Sequence, residues 1–214
     1  MSDPSFVSSA PVVNPSAGAA AFTINSPSVT IQHIDIRPTF ALSYGIESAA
    51  FYARISSVNV DGPGGMITTA GMKLDSYNTV SYSSITVGNA IGLYLNYASM
   101  TAVSYSTAQA AASAANTAAL YLNESSSNTF TMFLASNTVG DAAHLHATND
   151  SYNTISQSTF VCSADGNYSA LNINNIGSYN LITQSYLWGY SNGIILNGNY
   201  NTISQSTVTN AQAG

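Results

Sequence analysis

The eight residues Tyr152 to Thr159, YNTISQST, return unchanged at Tyr200 to Thr207, 48 residues further on. Between the two copies lies a looser version, Tyr179-Asn-Leu-Ile-Thr-Gln-Ser-Tyr186, so the working period is close to 24. Fixed-period self-similarity on this scale is the signature of a stacked repeat, and it constrains the fold before any single strand or helix is considered. Taking the apolar residue of the Asn-Thr-Ile core as anchor, the register extends in both directions through Ile31, Ile55, Val80, Val103, Phe130, Ile155, Ile182 and Ile203. The intervals of 24, 25, 23, 27, 25, 27 and 21 fit a constant strand core joined by turns of variable length.

Five residues after each anchor stand Ile36, Val60, Ile85, Ala108, Ala135, Phe160, Leu187 and Val208, all apolar. A further apolar pair precedes most anchors, as in Met72 with Leu74, Leu93 with Leu95, Leu120 with Leu122, Leu171 with Ile173 and Ile194 with Leu196. A spacing of two is that of a strand, and the Gly, Asn, Ser and Asp between the clusters suit turns. The sequence therefore predicts three short strands per unit. Units this small cannot bury an apolar face alone, so each must stack on the next, strand over equivalent strand. About eight coils at roughly 4.8 Å each make an all-β solenoid, a right-handed parallel β-helix about 35 Å long. Residues 1 to 20, rich in Ser, Pro and Ala, read as an extension or partial cap, and 21 to 214 as the solenoid.

Units of the form Gly-Ile-x-Leu followed by Asn-Thr-Ile, as in Gly193-Ile-Ile-Leu196 with Tyr200-Asn-Thr-Ile203, resemble the repeats of the pectin-lyase-like β-helix superfamily. That resemblance implies a fold rather than an activity, because such repeats serve lyases, hydrolases, phage tailspikes and adhesins alike. For the enzymes it implies a carboxylate cluster for Ca²⁺ with a basic residue to accept a proton, or two or three converging acids. The nine acidic residues here are scattered along the chain. Lys73 with Asp75 is the nearest approach to such a group and reads as a solvated pair. No catalytic residue, metal ligand or cofactor is assigned. His144 and His146 flank Leu145 and face one side, as a metal-binding pair would, yet no third ligand stands at Asn123 or Asn174; they read as exposed residues of the polar columns.

Stacking turns equivalent positions into columns. Two before the anchor run Asn78, Thr101, Asn128, Asn153, Asn180 and Asn201, expected to form a structural ladder of side-chain amides. A second polar column holds Asp75, Asn96, Asn123, His146, Asn174 and Asn197. Three before the anchor come Tyr77, Met100, Ser127, Tyr152, Tyr179 and Tyr200; Tyr77, Tyr152, Tyr179 and Tyr200 are the candidate binding residues, because an aromatic face packs well on a sugar ring. Hydroxyls flank the anchors, as at Thr129 and Thr131 or Thr202 and Ser204, and give an ice-binding surface as a minor alternative, though Arg54, Ala102 and Leu181 break the row.

Only 6% of residues are charged, with three basic against nine acidic, so nothing neutralises a phosphate backbone and nucleic acid is excluded as a partner. No apolar run is long enough to span a bilayer. Cys162 stands alone and is expected to be buried. The opening Met-Ser-Asp-Pro-Ser-Phe has neither the basic nor the apolar part of a leader, while the composition resembles exported proteins. The expectation is a piece of an extracellular or surface β-helix, open to further coils or self-association at its C-terminal end. It would be structural or adhesive, contacting polysaccharide or a receptor. A carbohydrate-active β-helix, with its catalytic groups lost or lying elsewhere, is the alternative.

Overall fold

The computed structural model describes residues 10–15, 18–112, 117–174 and 177–211. Every strand pairing is parallel, and the strands build two sheets, one of eight strands and one of fifteen. The anchors pair in unbroken succession, Ile31 with Ile55, then Val80, Val103, Phe130, Ile155, Ile182 and Ile203. The second apolar series, Ile36 through Val208, is equally continuous. The fold is thus a parallel β-helix of about eight turns with three strands per coil. In one coil these are Thr154–Ser156, Thr159–Cys162 and Ser169–Ile173, here called the first, second and third legs. First and second legs belong to the larger sheet because the strand Arg54–Gly62 supplies both and joins the two rows.

Two corners per coil are made by residues in the left-handed region. One column is Ser28, Tyr52, Tyr77, Met100, Ser127, Tyr152, Tyr179 and Tyr200; the other is His33, Ser57, Tyr82, Tyr105, Met132, Gln157, Gln184 and Gln205. Their φ values lie between 48° and 63°, and among the described non-glycine residues only Tyr97 and Glu124 share that conformation outside these columns. A single residue with positive φ swings an extended chain sharply and lets it resume as a strand, at a steric cost of roughly 1–2 kcal/mol. The residue after each corner secures it. After the first corner, the backbone N–H of Ala53 donates to Asn78 Oδ1, that of Thr101 to Asn128, of Asn128 to Asn153, of Asn153 to Asn180 and of Asn180 to Asn201, at 2.8–3.0 Å. Thr101 takes the place of asparagine and accepts from Asn78 N–H.

After the second corner a buried serine does the same. Val58 N–H donates to Ser83 Oγ, Ser83 to Ser106, Phe133 to Ser158, Ser158 to Ser185 and Ser185 to Ser206, while each serine hydroxyl donates to the carbonyl two residues before it. The repeated octet can now be read letter by letter. Tyr152 turns the chain and Asn153 fixes the turn; Thr154, Ile155 and Ser156 form the first leg; Gln157 turns again, Ser158 fixes that turn, and Thr159 opens the second leg.

Inward residues of the three legs form one continuous dry core. Its bulk is balanced locally. Ala108, Ala110 and Ala112 leave space that Phe130, Phe133 and Phe160 occupy, the rings lying edge or tilt to one another at 5.8 and 6.4 Å. Where the second leg presses on the third, even a methyl is too much: a Cβ on Gly71 would overlap the Ile85 side chain. Cys162 is fully buried, its Sγ donating to the carbonyl of Gly140, and burial raises its pKa.

Asp61 and Gly62 end the strand Arg54–Gly62, and a short 3₁₀ turn follows at Pro63–Gly65, opened by the fixed φ of Pro63 and bent by Gly64 at φ 61°. Ile34 is only partly buried, since His33 is itself a corner and interrupts the alternation. The alanine-rich tract is a strand over Thr107–Ala110, and its residues 113–116 lie outside the described residues. Most of the expected N-terminal extension does too, while Val12–Val13 within it pairs with Asp35 and Ile36. No helix among the described residues is long and apolar enough to cross a membrane.

Candidate functional site

Three outward surfaces gather the polar and aromatic chemistry. On the first corner, Tyr152, Tyr179 and Tyr200 are exposed and stack face to face, with centroids 5.0 and 4.9 Å apart and planes within 2° and 12°. Tyr77 stands apart from them, beyond Met100 and Ser127 in the column, and packs on Tyr52 and Phe51 at 5.4 and 5.9 Å. The second corner carries another stacked pair, Tyr82 and Tyr105, at 4.9 Å. At these separations each ring covers its neighbour's face, so no pyranose can enter between them. What the columns present to solvent is a row of ring edges and phenol groups at coil spacing.

Between the two corners the first legs present their hydroxyls. Ser56 bonds Ser81, Thr131 bonds Ser156 and Thr183 bonds Ser204 across adjacent coils at 3.1–3.2 Å. Arg54, Ala102 and Leu181 interrupt the companion row in which Thr79, Thr129, Thr154 and Thr202 stand.

The outer face of the eight-stranded sheet carries a row of titratable groups. In successive coils Glu47, Lys73, Tyr94, Tyr121, His144 and Asn172 stand in register. Lys73 is bound to Glu47 on the preceding coil, Nζ to Oε1 at 2.9 Å, rather than standing in a pair with Asp75 as its sequence position suggested. The ammonium also lies 5.3 Å from the Tyr44 ring centroid. Partial burial pulls the Lys73 pKa down, but the hydrogen bond and charge of Glu47, with smaller contributions from Tyr44 and Asp75, outweigh it and hold the pKa above the ordinary lysine value. Burial lifts the Asp75 carboxyl, Lys73 opposing and Glu47 reinforcing.

Further along, Tyr121 is buried between Tyr94, His144 and His146, its ring 5.4–5.6 Å from each of theirs. His144 is buried rather than exposed, because these rings enclose it. Its Nδ1 lies 3.8 Å from Asp141 Oδ2, which also accepts from Asn172 Nδ2, while Asp141 Oδ1 accepts from the backbone and hydroxyl of Ser169. Burial lowers the His144 pKa to about 4, Asp141 opposing and His146 adding to the effect. In the parallel polar column Asn96 Oδ1 accepts from Tyr94 Oη and from Asn123 Nδ2. Among the described residues, no three His, Cys, Asp or Glu side chains are grouped to hold a metal ion. Glu47 escaped notice because its strand, Leu42–Ser48, has serine where the later coils have leucine. The buried serine ladder was hidden by the abundance of serine everywhere else.

Among solved structures the chain is similar to pectate lyase Pel9A, with a TM-score of 0.53 and 16% sequence identity over 83% of this chain and 54% of that one. The chain thus spans about half the length of that enzyme. At this identity the likeness is one of fold, a parallel β-helix. No family model and no curated protein matches the chain.

Proposed function

We propose that this β-helix is a non-catalytic, structural or adhesive segment of an extracellular or cell-surface protein, contacting polysaccharide along its sides. The observation that carries the reading is the character of the outward columns: hydroxyl, amide and phenol groups repeat at coil spacing on a rod with very few charges. Such a surface offers many weak hydrogen bonds at a regular interval, which suits a repeating, hydroxylated partner. With a formal net charge of −6 the chain repels polyanions, so the partner class is a neutral glycan.

Lys73 supports the non-catalytic part. A lysine that removes a proton in a lyase must be neutral at working pH, which requires a lowered pKa, whereas Glu47 holds this one charged. A second reading, a carbohydrate-active β-helix, draws on the same cluster: Glu47, Lys73 and Asp75 lie together on an outer face flanked by Tyr44 and Tyr94. A glycan array with the purified chain, followed by assays for new reducing ends and for new carbon–carbon double bonds on any glycan it binds, separates the two. Binding without bond cleavage is the expected result; cleavage abolished by Lys73→Ala favours the second reading.

A further inference from the structure

The outward residues of the other second legs, such as Ser84 with Thr86 and Thr159 with Val161, carry no aromatic ring. Those of the strand Tyr186–Gly189 do. Alternation along it turns Leu187 into the core, where it is fully buried, and sends Tyr186 and Trp188 outward, with Tyr190 one residue past the strand's end. Tyr186 is exposed, and Trp188 and Tyr190 are partly so. Two residues per repeat places neighbouring rings roughly 6.6 Å apart along the strand. Among the described residues none of these three rings stacks on another aromatic, in contrast to the corner tyrosines, each of which has one or both faces against a neighbouring ring. Three rings without a stacked partner are therefore gathered along this one strand and its end.

The neighbours define the partner. Tyr186 lies in register between Thr159 and Thr207, and Trp188 between Val161 and Thr209. None of these is charged; Thr159 and Thr207 flank Tyr186 with hydroxyls, while the Thr209 hydroxyl beside Trp188 is buried. The aromatic row is one residue wide, too narrow to supply the roughly 800 Å² per side that a stable protein interface takes. A file of flat, partly apolar rings bordered by hydroxyls matches a linear file of pyranose rings, whose axial C–H faces pack on aromatics while their equatorial hydroxyls reach the flanks.

We infer that Tyr186, Trp188 and Tyr190 form the glycan-binding site of this rod, specific for a neutral, extended oligosaccharide laid along the strand. The inference rests on the polysaccharide-contact reading above and assigns that contact to one strand.

Trp188 is the sole tryptophan of the chain, so its emission reports on this strand alone. The intact chain is titrated with cellohexaose, with an oligogalacturonate of similar length as the anionic comparison, and Trp188 emission and its quenching by acrylamide are followed. Expected are a blue shift and protection from quenching with cellohexaose, and a loss of affinity of roughly tenfold or more in Trp188→Ala, with Phe40→Ala, at an exposed ring away from this strand, within about twofold of the parent. The fluorescence readout on the unmodified chain keeps the test decisive if Trp188→Ala folds poorly. Glycan binding that leaves Trp188 emission unchanged and is removed by Tyr179→Ala overturns this assignment while the polysaccharide-contact reading stands. Oligogalacturonate binding more tightly at Trp188 overturns the neutral class. Failure to bind any glycan on an array removes the underlying reading and this one with it.

Discussion

The backbone N–H of Asn128 donates to Oδ1 of Asn153, 3.0 Å away on the following coil, while Asn153 Nδ2 donates to the carbonyl of Ser125. One buried side chain thus closes the corner of one coil and fastens it to the next. Asn153→Ala leaves a buried N–H and a buried carbonyl unpaired, each worth roughly 1–3 kcal/mol. The urea midpoint is expected to fall accordingly. Asn153→Thr is expected to recover more than half of the loss, because Thr101 fills the same place two coils earlier, accepting from Asn78 N–H and donating to Asp75 O.

Gln157 is exposed and has φ 49°. Gln157→Gly removes the left-handed penalty and is expected to raise stability by up to about 1 kcal/mol, although glycine ordinarily destabilises a strand-rich fold. Gln157→Val adds β-branching at positive φ and is expected to lower stability by roughly 1–2 kcal/mol. Thermal midpoints of the two variants moving in opposite directions is the outcome that checks the corner assignment; equal losses contradict it.

His144, with a folded pKa of about 4 against an ordinary 6.5, binds fewer protons folded than unfolded between those values. Its neutral burial is fully accommodated above pH 6.5, and the associated stability drains away as pH falls towards 4, by up to roughly 3 kcal/mol. Asp150 acts in the opposite sense. Burial raises its carboxyl to about 6 in spite of N–H donors from Ala147, Ser125 and His146, so it binds more protons folded than unfolded between 3.8 and 6 and loses stability as pH rises. The histidine contribution is therefore read as the difference between the parent and His144→Gln, measured from pH 7 to 4. That difference is expected to shrink steadily with acid; a difference independent of pH would contradict the buried neutral imidazole.

Glu47 and Lys73 are each about 22% exposed, so their coupling is that of a partly screened pair. A double-mutant cycle with Glu47→Gln and Lys73→Met is expected to give about 1 kcal/mol at low salt and less at high salt. Lys73→Met is expected to leave glycan affinity unchanged, because the ammonium is already occupied by Glu47.

The stacking architecture was legible because Ile155, Ile182 and Ile203 must all be apolar for successive coils to share one core, and such a requirement is written once per coil. The asparagine column was legible for the same reason. The corners were not. Positive φ is ordinarily advertised by glycine or asparagine, and here tyrosine, glutamine and methionine occupy it, held there by Asn153 or Ser158 next in sequence rather than by their own preference. Partners on neighbouring coils were visible only where the register had been extended, so Glu47, on an irregular strand, was missed as the mate of Lys73. Trp188 escaped because columns reveal recurrence, and an aromatic row confined to one strand does not recur.

The two corner ladders share a direction. Asn128 N–H waits on Asn153, and Ser158 N–H waits on Ser185, each a residue made later by the ribosome. A freshly emerged coil therefore holds its bends without their clasps until its successor arrives and supplies them.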